Sequence, residues 1–114
     1  MSQQTALSPE MLACIELCRR CQMVCLGMAT GHCLEKGGRH VEPEHLRTLI
    51  VCAEICQAAA NVMATNSTLH RQVCGVCADI CDACISSCRD LDEMEECIFA
   101  CERCKNSCEA MTSV

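Results

Sequence analysis

The chain has no tryptophan, no tyrosine and a single phenylalanine, Phe99. Rings therefore cannot build its core, and there is no aromatic platform for stacking bases. Nor is there a basic stripe. Nine Lys and Arg stand against fifteen Asp and Glu, interspersed, for a net charge of −6. Nucleic acid is excluded as an expected partner. No apolar run approaches the length of a membrane span, so a membrane partner is not expected. The opening residues, Met-Ser-Gln-Gln-Thr-Ala-Leu-Ser-Pro-Glu, carry no positive n-region, no apolar h-region and no twin arginine. This gives the expectation of a cytoplasmic protein, the alternative being a leader already removed. No segment alternates with period two and there is no βαβ pattern, so strands are not expected.

What the chain has is sulfur: 16 Cys and 7 Met in 114 residues. The length suits one domain, 1–114, and buries a core without needing covalent staples. The densest stretch is Cys74–Cys88, with cysteines at 74, 77, 81, 84 and 88. Steps of three and four place them on one face of a helix. A bundle helix normally carries Leu or Ile there.

The same idea repeats along the chain. Ser8-Pro9-Glu10 is a helix start, with Ser as N-cap and Pro at the first position. The residues before it read as a frayed tail, 1–8. The first predicted helix, about 9–36, ends at Gly37-Gly38. Its seam is Met11, Cys14, Cys18, Cys21, Cys25, Met28 and His32, with Cys33 one residue off the line. Pro43 opens a second helix, about 43–64, with seam His45, Leu49, Cys52, Cys56, Ala59 and Met63. Its flanks are also apolar, which suggests deep burial or a subunit contact. A third helix, about 67–89, carries His70 one turn before the five cysteines. A fourth, about 92–110, has seam Met94, Cys97, Cys101, Cys104, Cys108 and Met111. Asp92 with Glu95 reads as a capping box. Four helices with short connections give an all-α, antiparallel up-down-up-down four-helix bundle with a cysteine-lined interior.

Three readings of the thiols compete. Disulfides fail within a helix: i,i+4 Cβ atoms lie ~5–6 Å apart, against the ~3.5–4.5 Å a bridge needs. Cys as a mere small hydrophobe makes a poor core and invites oxidation. Soft metal remains. Zinc prefers closed four-ligand sites and Fe–S clusters prefer compact loop-borne groups, whereas Cu(I) accepts few ligands and suits a continuous ladder. The i,i+4 pairs available to hold an ion are Cys14/Cys18, Cys21/Cys25, Cys52/Cys56, Cys77/Cys81, Cys84/Cys88, Cys97/Cys101 and Cys104/Cys108. Unpaired thiolates are too costly in a core, so each Cu⁺ must displace about one proton. Filling should then approach ~16 ions, one per Cys.

These ladders, Cys14–Cys25, Cys52–Cys56, Cys74–Cys88 and Cys97–Cys108, resemble those of the bacterial copper storage proteins, over about residues 10–111. The resemblance implies many Cu(I) ions per bundle, a tendency to form tetramers, and membership of a cytosolic branch without an export leader. The second helix, with only two cysteines, departs from the pattern. The candidate ligands are all sixteen cysteines, Cys33 included, with Met11, Met63, His70 and Met111 closing one end. The other end gathers Met28, His32, His45 and Met94. The first end is favoured for admitting copper, because Leu34, Leu46, Leu49, Leu91 and Phe99 could plug the second. His40 is expected to be exposed.

Cys-x-x-Cys matches such as Cys18–Cys21 lack a thioredoxin-like context. Glu42-x-x-His45 stands alone, so no di-iron site forms, and the remaining carboxylates offer no acid–base pair. The expectation is a non-enzymatic cytosolic Cu(I) store with copper donors and acceptors as partners. The alternatives are a Zn(II) or Cd(II) detoxification protein and a thiol redox protein.

Overall fold

A computed structural model describes residues 7–114; the expected tail, 1–8, lies mostly outside the described residues. Five α-helical segments follow in order: α1 (Pro9–Gly27), α2 (Cys33–Lys36), α3 (Pro43–Ala64), α4 (His70–Arg89) and α5 (Glu95–Met111). A π-helical turn, Met28–His32, joins α1 to α2, so that the two form one continuous first rod. A 3₁₀ turn, Gly38–Val41, leads to α3. Among the described residues there is no strand. The four rods run antiparallel, with α1 beside α3 and α5, and α4 beside the same two. The result is an elongated body of 56 × 24 × 19 Å.

Local chemistry sets the breaks. Ser8 caps α1, its Oγ accepting from the Met11 backbone N–H at 3.1 Å, and Pro9 takes the first position. Gly37 and Gly38 adopt φ +71° and +57°, a reversal that side chains resist, and so end the first rod. α4 starts three residues later than the sequence suggests. Ser67 instead forms a turn, its Oγ accepting from the Leu69 N–H and its carbonyl from the His70 N–H. α5 also starts three residues late. Glu93 sits at φ +61° and no side chain caps Met94, so the expected Asp92–Glu95 capping box does not form. The Asp92 carbonyl is used elsewhere, as described below.

The four inner faces carry sulfur in place of branched aliphatics. All sixteen cysteines are buried, and Leu49, Met63 and Met94 are the largest fully buried side chains. One expectation needs correction. α3, at 22 residues with a mean hydropathy of 1.3 over its best window, is long and apolar enough to cross a membrane. Arg47 and Glu54 interrupt it, so it holds no unbroken apolar run of that length. Its inner line packs in the bundle, while Ile50 and Val51 point outward.

Candidate metal centre

Three and four residues apart on each helix, the cysteines project into one shared axis. Thirteen of the sixteen sulfurs stand 3.5–4.0 Å from another, as in Cys18–Cys108 at 3.5 Å, Cys25–Cys97 at 3.6 Å, Cys56–Cys77 at 3.7 Å and Cys52–Cys101 at 4.0 Å. A disulfide sulfur pair sits at about 2.05 Å, so these are packed thiols, and every cysteine is free.

Most of these contacts cross between helices. Of the seven i,i+4 pairs, Cys21/Cys25 at 3.9 Å and Cys104/Cys108 at 4.0 Å bring their sulfurs this close. The others turn to partners on adjacent helices, because helical neighbours splay from the rod and converge on the axis with the opposing walls. Four quartets result: Cys18, Cys77, Cys104, Cys108; Cys21, Cys25, Cys52, Cys101; Cys21, Cys56, Cys81, Cys104; and Cys25, Cys84, Cys97, Cys101. Within each, all four sulfurs lie within 4.8 Å of one another. Cys21, Cys25, Cys101 and Cys104 each belong to two quartets.

The spacing speaks to coordination. With a metal–sulfur bond of about 2.3 Å, opposite sulfurs of a linear site lie ~4.6 Å apart, those of a trigonal site ~4.0 Å and those of a tetrahedral one ~3.8 Å. The thiols thus already stand at three- and four-ligand spacing. A linear ion asks for a small spreading by rotation about χ1.

Burial governs the protonation of the thiols. No Lys or Arg enters the core, and taking a thiolate out of water without a cation is costly. Burial pushes the Cys33 thiol up, helped by Cys97 and Cys84. Cys88 is raised by its contacts with Cys84 and Cys97 as well as by burial. Cys74 is drawn down by Cys108 but pushed up by Cys14 and by burial, ending at about 12. Contacts among the other thiols push in both directions, Cys52 and Cys104 down and Cys56 and Cys108 up, while burial raises each of them. With no cationic side chain beside them, most of these thiols stay protonated.

Both ends of the ladder are closed by other donors. At one end Met11, Met63, His70 and Met111 are all buried. His70 Nδ1–H donates to the Ser67 carbonyl at 2.8 Å, which leaves Nε2 as the lone-pair nitrogen, buried and without a partner. At the other end His45 Nε2 lies 3.6 Å from Cys33 Sγ, and its Nδ1 shares a 2.7 Å hydrogen bond with Ser87 Oγ. Burial pulls the His45 imidazole below its usual range, and the neighbouring His40 adds to this.

The second end differs from its sequence reading in three ways. His40 is buried, its Nε2–H donating to the Asp92 carbonyl at 2.9 Å. The short 3₁₀ turn folds it back over the bundle end, a placement no helical period reveals. The expected apolar plug is only half there. Leu49 is buried, Leu46 and Leu91 pack against the core, but Leu34 and Phe99 are 56 % and 59 % exposed, with the Arg103 guanidinium over the Phe99 ring at 5.5 Å. Finally, Cys33 is fully buried, and Met28 and His32 are not. The π turn takes up an extra residue and moves the inward line to Cys25, Ala29 and Cys33. The spacing of eight between Cys25 and Cys33, two steps of four, is the signal that could have revealed it.

A helical bundle with a free-thiol interior and overlapping sulfur quartets is a soft-metal binder by construction. Its residues 2–113 match the family described as copper storage protein, and the chain belongs to that family. A crystal structure of a Nitrosospira multiformis protein superposes with a TM-score of 0.89 at 51 % identity, covering 91 % of this chain and 95 % of that one. The Cu(I)-bound copper storage protein BsCsp3 superposes with a TM-score of 0.81 at 36 % identity, covering 90 % and 98 %. An uncharacterized cysteine-rich protein of Bacillus subtilis (strain 168), YhjQ, is 37 % identical over 103 residues, 89 % of this chain and 94 % of that protein.

Proposed function

We propose that this protein stores Cu(I), as many ions in one chain, held by its sixteen cysteine sulfurs without catalysing a reaction. The observation that carries the reading is the set of four thiol quartets with shared members, buried in a core that no Lys or Arg side chain enters. Charge favours copper over zinc. A Zn²⁺ in a closed Cys₄ site leaves two negative charges in the core, and four quartets that share sulfurs multiply the cost. Each Cu⁺ replaces one thiol proton, and bridging sulfurs let adjacent ions share ligands, so the core stays neutral as it fills. The Cu(I)-bound relative supports the same cargo. Met11, Met63, Met111 and the free Nε2 of His70 then close one end as weaker ligands.

Sixteen free thiols call for a reducing compartment, which supports the cytoplasm. The outward Ile50 and Val51 on α3, 43 % and 50 % exposed, support a homo-oligomer packed through that helix, with a tetramer as the expected form. Copper donors and acceptors are the remaining partners.

Anaerobic titration of the reduced protein with Cu(I), against a competing chelator and in parallel with Zn(II), tests this. The expected result is tight Cu(I) uptake to roughly 16 ions with about one proton released per ion. Saturation at far fewer than ~10 ions, or preference for Zn(II), would sink the storage reading. Zn(II) or Cd(II) sequestration is the second reading, since each quartet is also compact enough for a tetrahedral ion.

A further inference from the structure

The π turn does more than bring Cys33 inward. A straight α-helix would carry Met28 and His32 on the same line as Cys25. The extra residue rotates both out to the flank of the bundle, where they stay half-buried. There they line a lateral cavity of about 490 Å³ together with Met23, and the Arg20 and Glu96 side chains, 3.7 Å apart, stand at its rim.

Met28 also packs against the core, but Met23 and the His32 Nε2 atom have no packing or hydrogen-bond task. Met23 is 61 % exposed, so its thioether fills no core. His32 Nε2 is shielded from water and has no hydrogen-bond partner. A buried polar nitrogen left without a partner is destabilising, a cost that a ligand removes. π turns inside α-helices recur at functional sites. Here the turn brings one thioether, Met28, and the His32 imidazole to the same opening as Met23 of α1, a soft donor set.

We propose that Met23, Met28 and His32 form a lateral site for one monovalent soft cation, Cu(I) or Ag(I), outside the thiol core. The proposal rests on the Cu(I) storage reading for its role: the site passes Cu(I) inward to Cys33. Cys33 is the next residue after His32, and its sulfur lies 3.6 Å from His45 Nε2. The His32 ring meets His40 edge-on at 5.4 Å between centroids, and His40 meets His45 at 6.4 Å, so imidazole continues from the cavity to the first thiol. The transfer is a ligand exchange. The Cys33 S–H bond breaks, its proton leaves to solvent, and a Cys33 sulfur–Cu(I) bond replaces the bonds to His32 and the thioethers. Copper remains Cu(I) throughout. Thioether and imidazole hold Cu(I) less tightly than thiolate, so the ion moves inward until the core is full and only then rests on the flank.

The test uses the whole protein. Uptake of Cu(I) from a weaker chelator is followed by stopped flow under anaerobic conditions, for wild type and for Met23→Leu with Met28→Leu. Both changes keep volume at exposed or half-buried positions. The expected result is uptake slowed about tenfold, with the final core count unchanged. In wild type labelled at the methionine methyls, one further equivalent of Cu(I) added to the loaded protein shifts the Met23 and Met28 signals. An unchanged uptake rate, or methyl signals that stay in place, overturns the lateral site. A wild-type count far below ~10 ions overturns the storage reading instead, whatever the rates show.

Discussion

The middle of the bundle and its ends are built on one helical period but carry different chemistry. In the middle thiols dominate the inward lines, and four of the sulfurs are shared between quartets. At the ends the same inward positions carry Met11, Met63, His70 and Met111 on one side, and Cys33 with His45 and Met94 on the other. Thiols that share ligands give capacity, because each added ion finds sulfur already positioned by its neighbours. Neutral thioether and imidazole give weaker holding and faster exchange. The difference teaches that a store needs both: a deep thiol sink, and terminal groups that exchange faster than the sink does.

The largest effect should come from breaking the middle. Cys101 and Cys104 between them belong to all four quartets, whereas Cys14 and Cys74 belong to none. Cys101→Ala with Cys104→Ala should cost at least about four ions of capacity, and Cys14→Ala with Cys74→Ala about two, by anaerobic titration and metal analysis. Equal losses would show that sharing does not matter and that each cysteine counts alone.

Proton linkage separates thiol from imidazole next. Burial and thiol contacts raise Cys33, Cys74 and Cys88 above 9.0 in the folded state. The stability they contribute is complete below the unfolded value and is lost as pH rises past about 9. His45 is shifted the other way, by burial and then by His40. Its contribution is present above about pH 6.5 and fades as pH falls through the lower folded value. The metal-free protein should therefore unfold along a steep alkaline limb set by many thiols and a shallow acid limb set by one end. Denaturant titrations across pH check this. His45→Gln should flatten the acid limb and leave the alkaline one in place.

A smaller change is expected where thioethers close the ladder. Met11→Leu with Met111→Leu keeps the packing volume but removes two soft donors. The last ion bound should be held roughly tenfold more weakly, with the earlier ones untouched. If competition with a chelator shows every ion weakened alike, these methionines act through packing and not as ligands.

How far all this could be read from residues depends on whether period alone decides position. The steps of three and four in Cys74–Cys88 fix an inward line, and that line is buried as spacing requires. The same holds for the seams of α3 and α5. Register inside a helix is another matter. Gly27, Thr30 and Gly31 weaken the α-helix where the π turn forms, and one added residue exchanges the places of His32 and Cys33. His40 depends on a 3₁₀ turn and on the distant Asp92 carbonyl, a tertiary contact that no local pattern encodes. The pairing of sulfurs across helices was hidden for a similar reason. Spacing shows which side chains face the axis, but which neighbour each sulfur meets depends on how far the rods are staggered.

The smallest effect concerns the helix start that holds Met11 in place. Ser8 Oγ accepts from the Met11 N–H at 3.1 Å, and Ser8 is the residue that turns the chain into α1. Ser8→Ala leaves that N–H without its side-chain partner, at a helix end where water reaches part of the backbone. The cost should be ~1 kcal/mol in folding stability. Capacity should not change, because the cysteines begin at Cys14, beyond the first turn. The sharper readout is the terminal site. A frayed first turn lets the Met11 thioether wander, so the last ion should be held more weakly than in wild type but less weakly than in the double Leu variant. If Ser8→Ala lowers stability and leaves that last ion unchanged, Met11 is not a ligand of the end site, and the contrast between middle and ends rests there on Met63, His70 and Met111.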